Sequence, residues 1–141
     1  MLDFIRAFGQ QGATLLLGLA TGAAWIAAIA APNCSYDRLD HSRADGHVRQ
    51  LIKDSSAPIG FILLAAGALA ILGGAFGAGI CGFLAAFGFF SNRWTLSTLP
   101  KSEAPAGVRR RRKSQRVVAV ALTLMFTFVA LVGAILAAIG V

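Results

Sequence analysis

Residues 57–90 read APIGFILLAAGALAILGGAFGAGICGFLAAFGFF, the centre of a stretch between Asp54 and Arg93 that holds no charged side chain. A run of about 18 or more apolar residues is long enough to cross a bilayer as a helix. Drawn as one helix, this run would reach about 51 Å at about 1.5 Å per residue, against a hydrocarbon core about 30 Å thick. It is therefore read as two spans, about 56–72 and 76–95, broken at Gly73–Gly74, where glycines at 73, 74, 77 and 79 give the backbone the freedom a tight turn needs. One tilted helix is the alternative. Its support is a stripe of small residues at strict four-residue spacing: Ala66, Ala70, Gly74, Ala78, Gly82 and Ala86.

Two further spans lie outside this stretch. Residues 7–36 carry no charge and hold the first, about 11–31. Arg6, the apolar run and the alanines near 28–31 also fit a cleavable signal peptide, but the segment is read as a membrane helix that Pro32 terminates. Gly18 and Gly22, and separately Ala20, Ala24 and Ala28, offer small faces of the kind that let helices approach closely in lipid. Residues 117–140 form the last span, in which Thr123 and Thr127 are expected to return their hydroxyls to the backbone one turn earlier. The expected architecture is thus all-α: one domain, 1–141, an integral membrane helical bundle with four transmembrane helices, or three in the alternative.

The polar segments are 33–55 and 96–116. In the first, Ser42 and Asp45 have capping-box spacing, and Ala44, Val48, Leu51 and Ile52 follow as the stripe of a short amphipathic helix, expected at the membrane surface or against a partner. In the second, Arg109, Arg110, Arg111, Arg112, Lys113 and Arg116 make a basic cluster. Residues 93–116 carry the whole formal net charge of +7, because the five basic and five acidic side chains of residues 1–92 cancel. Basic loops stay on the cytoplasmic side of a membrane. Four spans place twelve of the thirteen Lys and Arg there, and three spans place nine, which favours four with both termini outside. The cluster also suits anionic lipid head groups or an acidic partner face. Nucleic acid is not expected, since no aromatics are interleaved with it.

The chemical inventory is sparse. No span holds Asp, Glu, Lys, Arg or His in its apolar core, where proton relays, ion paths and haem ligands would lie. Met125, Cys34 and Cys81 read as apolar filler, and Trp25 as packing or lipid-facing bulk. His41 and His47, among Cys34, Asp37, Asp40 and Asp45, match no metal-ligand spacing and read as solvated residues. No nucleophile elbow, phosphate loop or paired-carboxylate arrangement is present. Neither enzymatic activity nor a cofactor is expected.

The helix ending in Trp25 to Pro32, the amphipathic segment, the apolar hairpin, the basic loop and the last helix resemble a loose group of small four-helix membrane proteins, including CopD-like and anthrone-oxygenase-like domains. The resemblance covers nearly the whole chain and implies topology. Copper handling is not carried over, because no intramembrane His is present. The functional expectation is a non-catalytic accessory subunit of a larger membrane complex, of respiratory or photosynthetic type. Its packing faces would be Gly18 and Gly22 and the stripe Ala66, Ala70, Gly74, Ala78, Gly82 and Ala86, and its partners other membrane subunits and anionic lipids. The alternative is a small transporter, channel or resistance protein acting as a homo-oligomer, with Thr14, Thr21, Thr123 and Thr127 along a polar path. The expected location is the bacterial inner membrane, as a multi-pass protein, with the mitochondrial inner membrane as alternative.

Overall fold

The computed structural model describes the backbone of residues 1–97 and 106–141, and their side chains except at 41, 42, 97 and 106–116. The described residues are helical almost throughout: α1 (Leu2–Trp25), a π-helical segment (Ile26–Ala30), α2 (Ala31–Arg38), α3 (His41–Leu72), α4 (Phe76–Ser97) and α5 (Ala106–Ile139). No strand occurs among them. Three stretches, Leu2–Arg38, Arg43–Leu72 and Val117–Ile139, are long and apolar enough to cross a membrane, with mean hydropathies of 1.9, 2.0 and 2.5. The chain is a multi-pass membrane-embedded helical bundle.

Close contacts fix the helix directions. Gly82 lies against Gly67 and Leu63, and Gly60 against Phe90, so α3 and α4 are antiparallel. Gly88 meets Phe126 and Gly77 meets Leu136 and Val141, so α4 and α5 are antiparallel. Gly9 meets Leu69 and Gly73, while Gly140 meets Gln10, which sets α1 antiparallel to both α3 and α5. The four long helices thus run up-down-up-down in a ring, each packed on its neighbours, with α1 closing against α5. The Gly73–Gly74 turn, Gln10 and Gly140 share one end, called here the turn end. Arg38, Arg43, Arg93 and the start of α5 share the other, the loop end.

This geometry bears on the number of crossings. Both α3 and α5 run from the loop end to the turn end. The chain between them must return, and α4 is the segment that does so. At 22 residues it spans about 33 Å. It is not among the three stretches long and apolar enough to cross a membrane, and Asn92 and Arg93 lie near its C-terminus.

The turn at Gly73–Gly74 is built by backbone hydrogen bonding. Gly74 has φ +82°, its N–H donates to the Ile71 carbonyl at 3.0 Å, and Ala75 N–H donates to Ala70 at 2.9 Å. This is a Schellman cap, which requires the left-handed conformation that only glycine adopts without strain. Gly140, φ +79°, ends α5 in the same way, with Gly140 N–H to Ala137 and Val141 N–H to Leu136. The Val141 carbonyl then accepts from Ala78 N–H at 3.1 Å. One unpaired donor in the first turn of α4 is thereby satisfied by the end of α5.

Three local expectations are corrected. Pro32 does not end the first helix, which continues to Arg38. In a regular α-helix the Pro32 ring would press on the carbonyl of Ala28. The π-helical turn just before it, in which Ala31 N–H bonds back to Ile26, widens the coil at that place. The amphipathic segment is present, but as the first turns of α3 and not as a separate short helix. Ala44, Val48 and Ile52 are buried, and the last two pack with Leu96 and Ala119. α3 passes through Pro58, where Ser55 and Ser56 both donate to the Ile52 carbonyl. Finally, Ser42 and Asp45 do not form a capping box. Asp40 occupies the cap position, and Asp45 accepts a hydrogen bond from the Tyr36 hydroxyl of α2.

Candidate functional site

The small-residue stripe is divided by the turn. Ala66 and Ala70 on α3, and Ala78, Gly82 and Ala86 on α4, are all buried in the bundle. A Cβ on Gly82 would stand 3.0 Å from Gly67 Cα, so the two helices meet backbone to backbone. Gly74 is exposed in the turn. These residues pack the chain against itself. Ala20 and Ala24 on α1 and Ala28 in the π-helical segment are buried as well, whereas Gly18 and Gly22 face outward, and a Cβ on either would meet no other element within 4 Å. They share an outward face with exposed Leu15, and exposed Trp25 and Ile26 follow them along α1.

The threonine hydroxyls are occupied locally. Thr14 donates to Gln10 O, Thr21 to Leu17 O, Thr123 to Ala119 O and Thr127 to Thr123 O, at 2.6–2.9 Å. Thr123 and Thr127 are buried on α5, facing α4. Beside them lies a polar group that the sequence reading missed. Asn92 of α4 is 2% exposed, and its Nδ2 donates to Ala119 O at 3.2 Å and to Thr123 Oγ1 at 2.8 Å. Its Oδ1 is buried with no hydrogen-bond partner. The available signal was an amide next to the charge that closes the apolar run.

A second feature missed is a recess of about 560 Å³ between α1 and α5 at the turn end, lined by Ala7, Gln10, Gln11, Thr14, Leu15, Ala137 and Ala138. Gly140 makes room for the Gln10 side chain, because a Cβ there would come within 3.0 Å of Gln10 Nε2. The Gln10 and Gln11 side-chain amides border the recess and make no hydrogen bond among the described residues.

The other candidates are scattered. Cys34 is exposed on α2 and is not core filler, while Cys81 is half-buried against Gly133. His47 is exposed, and no group of three His, Cys, Asp or Glu that could hold a metal gathers among the described residues. Met125 and Trp25 face outward. The side chains of Arg109, Arg110, Arg111, Arg112, Lys113 and Arg116 lie outside the described residues; their backbone forms the first turns of α5. Compared with protein-family models, with curated proteins and with solved structures, the chain finds no match.

Proposed function

We propose that this chain is a non-catalytic accessory subunit that packs against a larger membrane complex, of respiratory or photosynthetic type, and stabilises it. The observation that carries the reading is the contrast between two sets of small residues. Those on α3 and α4 are used up inside the bundle, whereas Gly18 and Gly22 leave an open, closely approachable face on α1. Lipid tails give apolar side chains no reason to associate, so close backbone approach is what a neighbouring helix gains from such a face. The orientation follows from charge: the loop end, with its basic residues, lies in the cytoplasm of a bacterium, or in the matrix for a mitochondrial protein. The basic start of α5, Arg109 to Arg116, then meets anionic lipid or an acidic partner face there.

Mild-detergent purification tests the reading. Wild-type chain is expected to co-purify with other membrane subunits, and Gly18→Leu and Gly22→Leu to lose them while keeping their own fold. A wild-type chain that runs alone as a monomer defeats it. A homo-oligomeric transporter or channel is the second reading, supported by the buried polar cluster of Asn92, Thr123 and Thr127. Unchanged solute flux after replacing Thr14, Thr21, Thr123 and Thr127 by valine counts against it.

A further inference from the structure

We propose that the recess between α1 and α5 at the turn end is a lateral binding site for the head group of a membrane phospholipid. Its volume of about 560 Å³ falls within the roughly 300–1,000 Å³ typical of small-molecule sites. The walls divide by chemistry. Ala7, Leu15, Ala137 and Ala138 supply an apolar surface, and Gln10 and Gln11 supply amide donors that no described residue satisfies. Thr14 Oγ1 gives its proton to Gln10 O and keeps its acceptor capacity. One helical turn above Gln10 stands exposed Arg6, outside the recess lining; it is the only basic side chain at the turn end among the described residues and forms no ion pair with them, Asp3 lying three residues before it on α1.

The two amides at the recess complement an acceptor-rich group, Arg6 one turn away on α1 adds positive charge at the same end, and phosphate and ester oxygens are such a negatively charged group. The rest of the ligand is fixed by the surroundings. The recess is bordered by exposed Leu15 and Ala138, and farther along the same two helices Leu19, Leu131 and Ile135 are exposed. A ligand seated there has its head among the amides and its apolar part along the membrane-facing surface. A free phosphate would satisfy the head alone and leave the apolar wall uncovered. The site is separate from the basic start of α5, which lies at the other end of the bundle. It shares Leu15 with the outward face of α1, but Gly18 and Gly22 do not line it, so either proposal can fail alone.

The test is native mass spectrometry of the full chain released from detergent, with dioleoyl phosphatidylglycerol, dioleoylglycerol or inorganic phosphate added singly. One phosphatidylglycerol per chain is expected to survive activation that strips the others, and dioleoylglycerol is expected to be lost. Gln11→Leu and Arg6→Gln, both at exposed positions, should each weaken retention about tenfold, the scale of one hydrogen bond to a charged group. Ala138→Phe should abolish retention by filling the recess, and Gly22→Leu should leave it unchanged. Circular dichroism confirms that each variant is folded. Equal retention of dioleoylglycerol, competition by inorganic phosphate alone, or undiminished retention in folded Gln11→Leu, Arg6→Gln and Ala138→Phe would each overturn the proposal.

Discussion

Gly73→Ala isolates the closeness of α1 and α3 from every other effect of a glycine. Gly73 has φ −74°, ordinary for any residue, so alanine brings no backbone strain. What it brings is a methyl group 2.6 Å from Gln10 N and 3.1 Å from both Gln10 Cα and Gly9 C. These are backbone atoms of the facing helix and cannot rotate away. Ordinary contact begins near 3.4 Å, so the pair must open by about 0.8 Å. Overpacking of this kind costs about 1–3 kcal/mol, and here it also loosens the reciprocal contact of Gly9 with Gly73 and Leu69. Two controls separate the causes. Gly74→Ala has open space but φ +82°, so it should cost about 1–2 kcal/mol through the left-handed conformation alone. Gly18→Ala has open space and an ordinary helical backbone, and should be neutral or slightly stabilising. The assay is reversible unfolding of the full chain in mixed micelles, titrated with a denaturing detergent and followed by far-ultraviolet circular dichroism. The expected order of midpoints is Gly18→Ala highest, with Gly73→Ala and Gly74→Ala both below wild type. A Gly73→Ala midpoint equal to that of Gly18→Ala would refute the backbone contact between α1 and α3.

Asn92→Leu should unfold no more easily than wild type in the same titration. The interhelical hydrogen bonds it removes average about 0.6 kcal/mol each in a bilayer, and the unpartnered Oδ1 costs about 1–3 kcal/mol to bury. Asn92→Asp, which places a carboxylate in the same pocket, should lower the midpoint clearly; a drop for leucine as large as that for aspartate would mean that the amide is essential to the pairing of α4 and α5. The two native cysteines report orientation without mutation. A membrane-impermeant maleimide should label exposed Cys34 in inverted vesicles and not in intact cells, and should leave Cys81 unlabelled in both, so labelling of Cys34 in intact cells would reverse the proposed orientation.

The hairpin was legible because its determinants are local. A Schellman cap needs a glycine at one position, and Gly74 supplies it inside an apolar run too long to cross once. The amphipathic stripe was legible for a similar reason, since Ala44, Val48 and Ile52 lie on one face whatever follows them. Where α3 begins and how far α1 continues were not legible. Proline is read as a stop from its missing N–H, yet a helix held by neighbours accommodates it, by a π-turn before Pro32 and by burial of Ala57, Ile59 and Gly60 on either side of exposed Pro58. Tertiary contact there outweighs local preference.

The polar features show the limit of the same argument from the other side. Asn92 and Gln10 each stand at the margin of an apolar run, where a sequence gives equal weight to an amide hydrated at the interface and one buried between helices. Only the crossing of α4 on α5 puts Asn92 beside Thr123, and only Gly140 makes room for Gln10 at the end of α5. Spacing-of-four patterns carry a related ambiguity, because a small face reads the same whether it meets its own chain or another. The bundle resolves this for Ala66, Ala70, Ala78, Gly82 and Ala86, which face inward. On the proposed function, the small-residue face left for a partner is the shorter outward surface around Gly18 and Gly22, between Leu15 and Ile26. The proposed function therefore predicts a partner helix that fits against Gly18 and Gly22, and not one that docks on the hairpin.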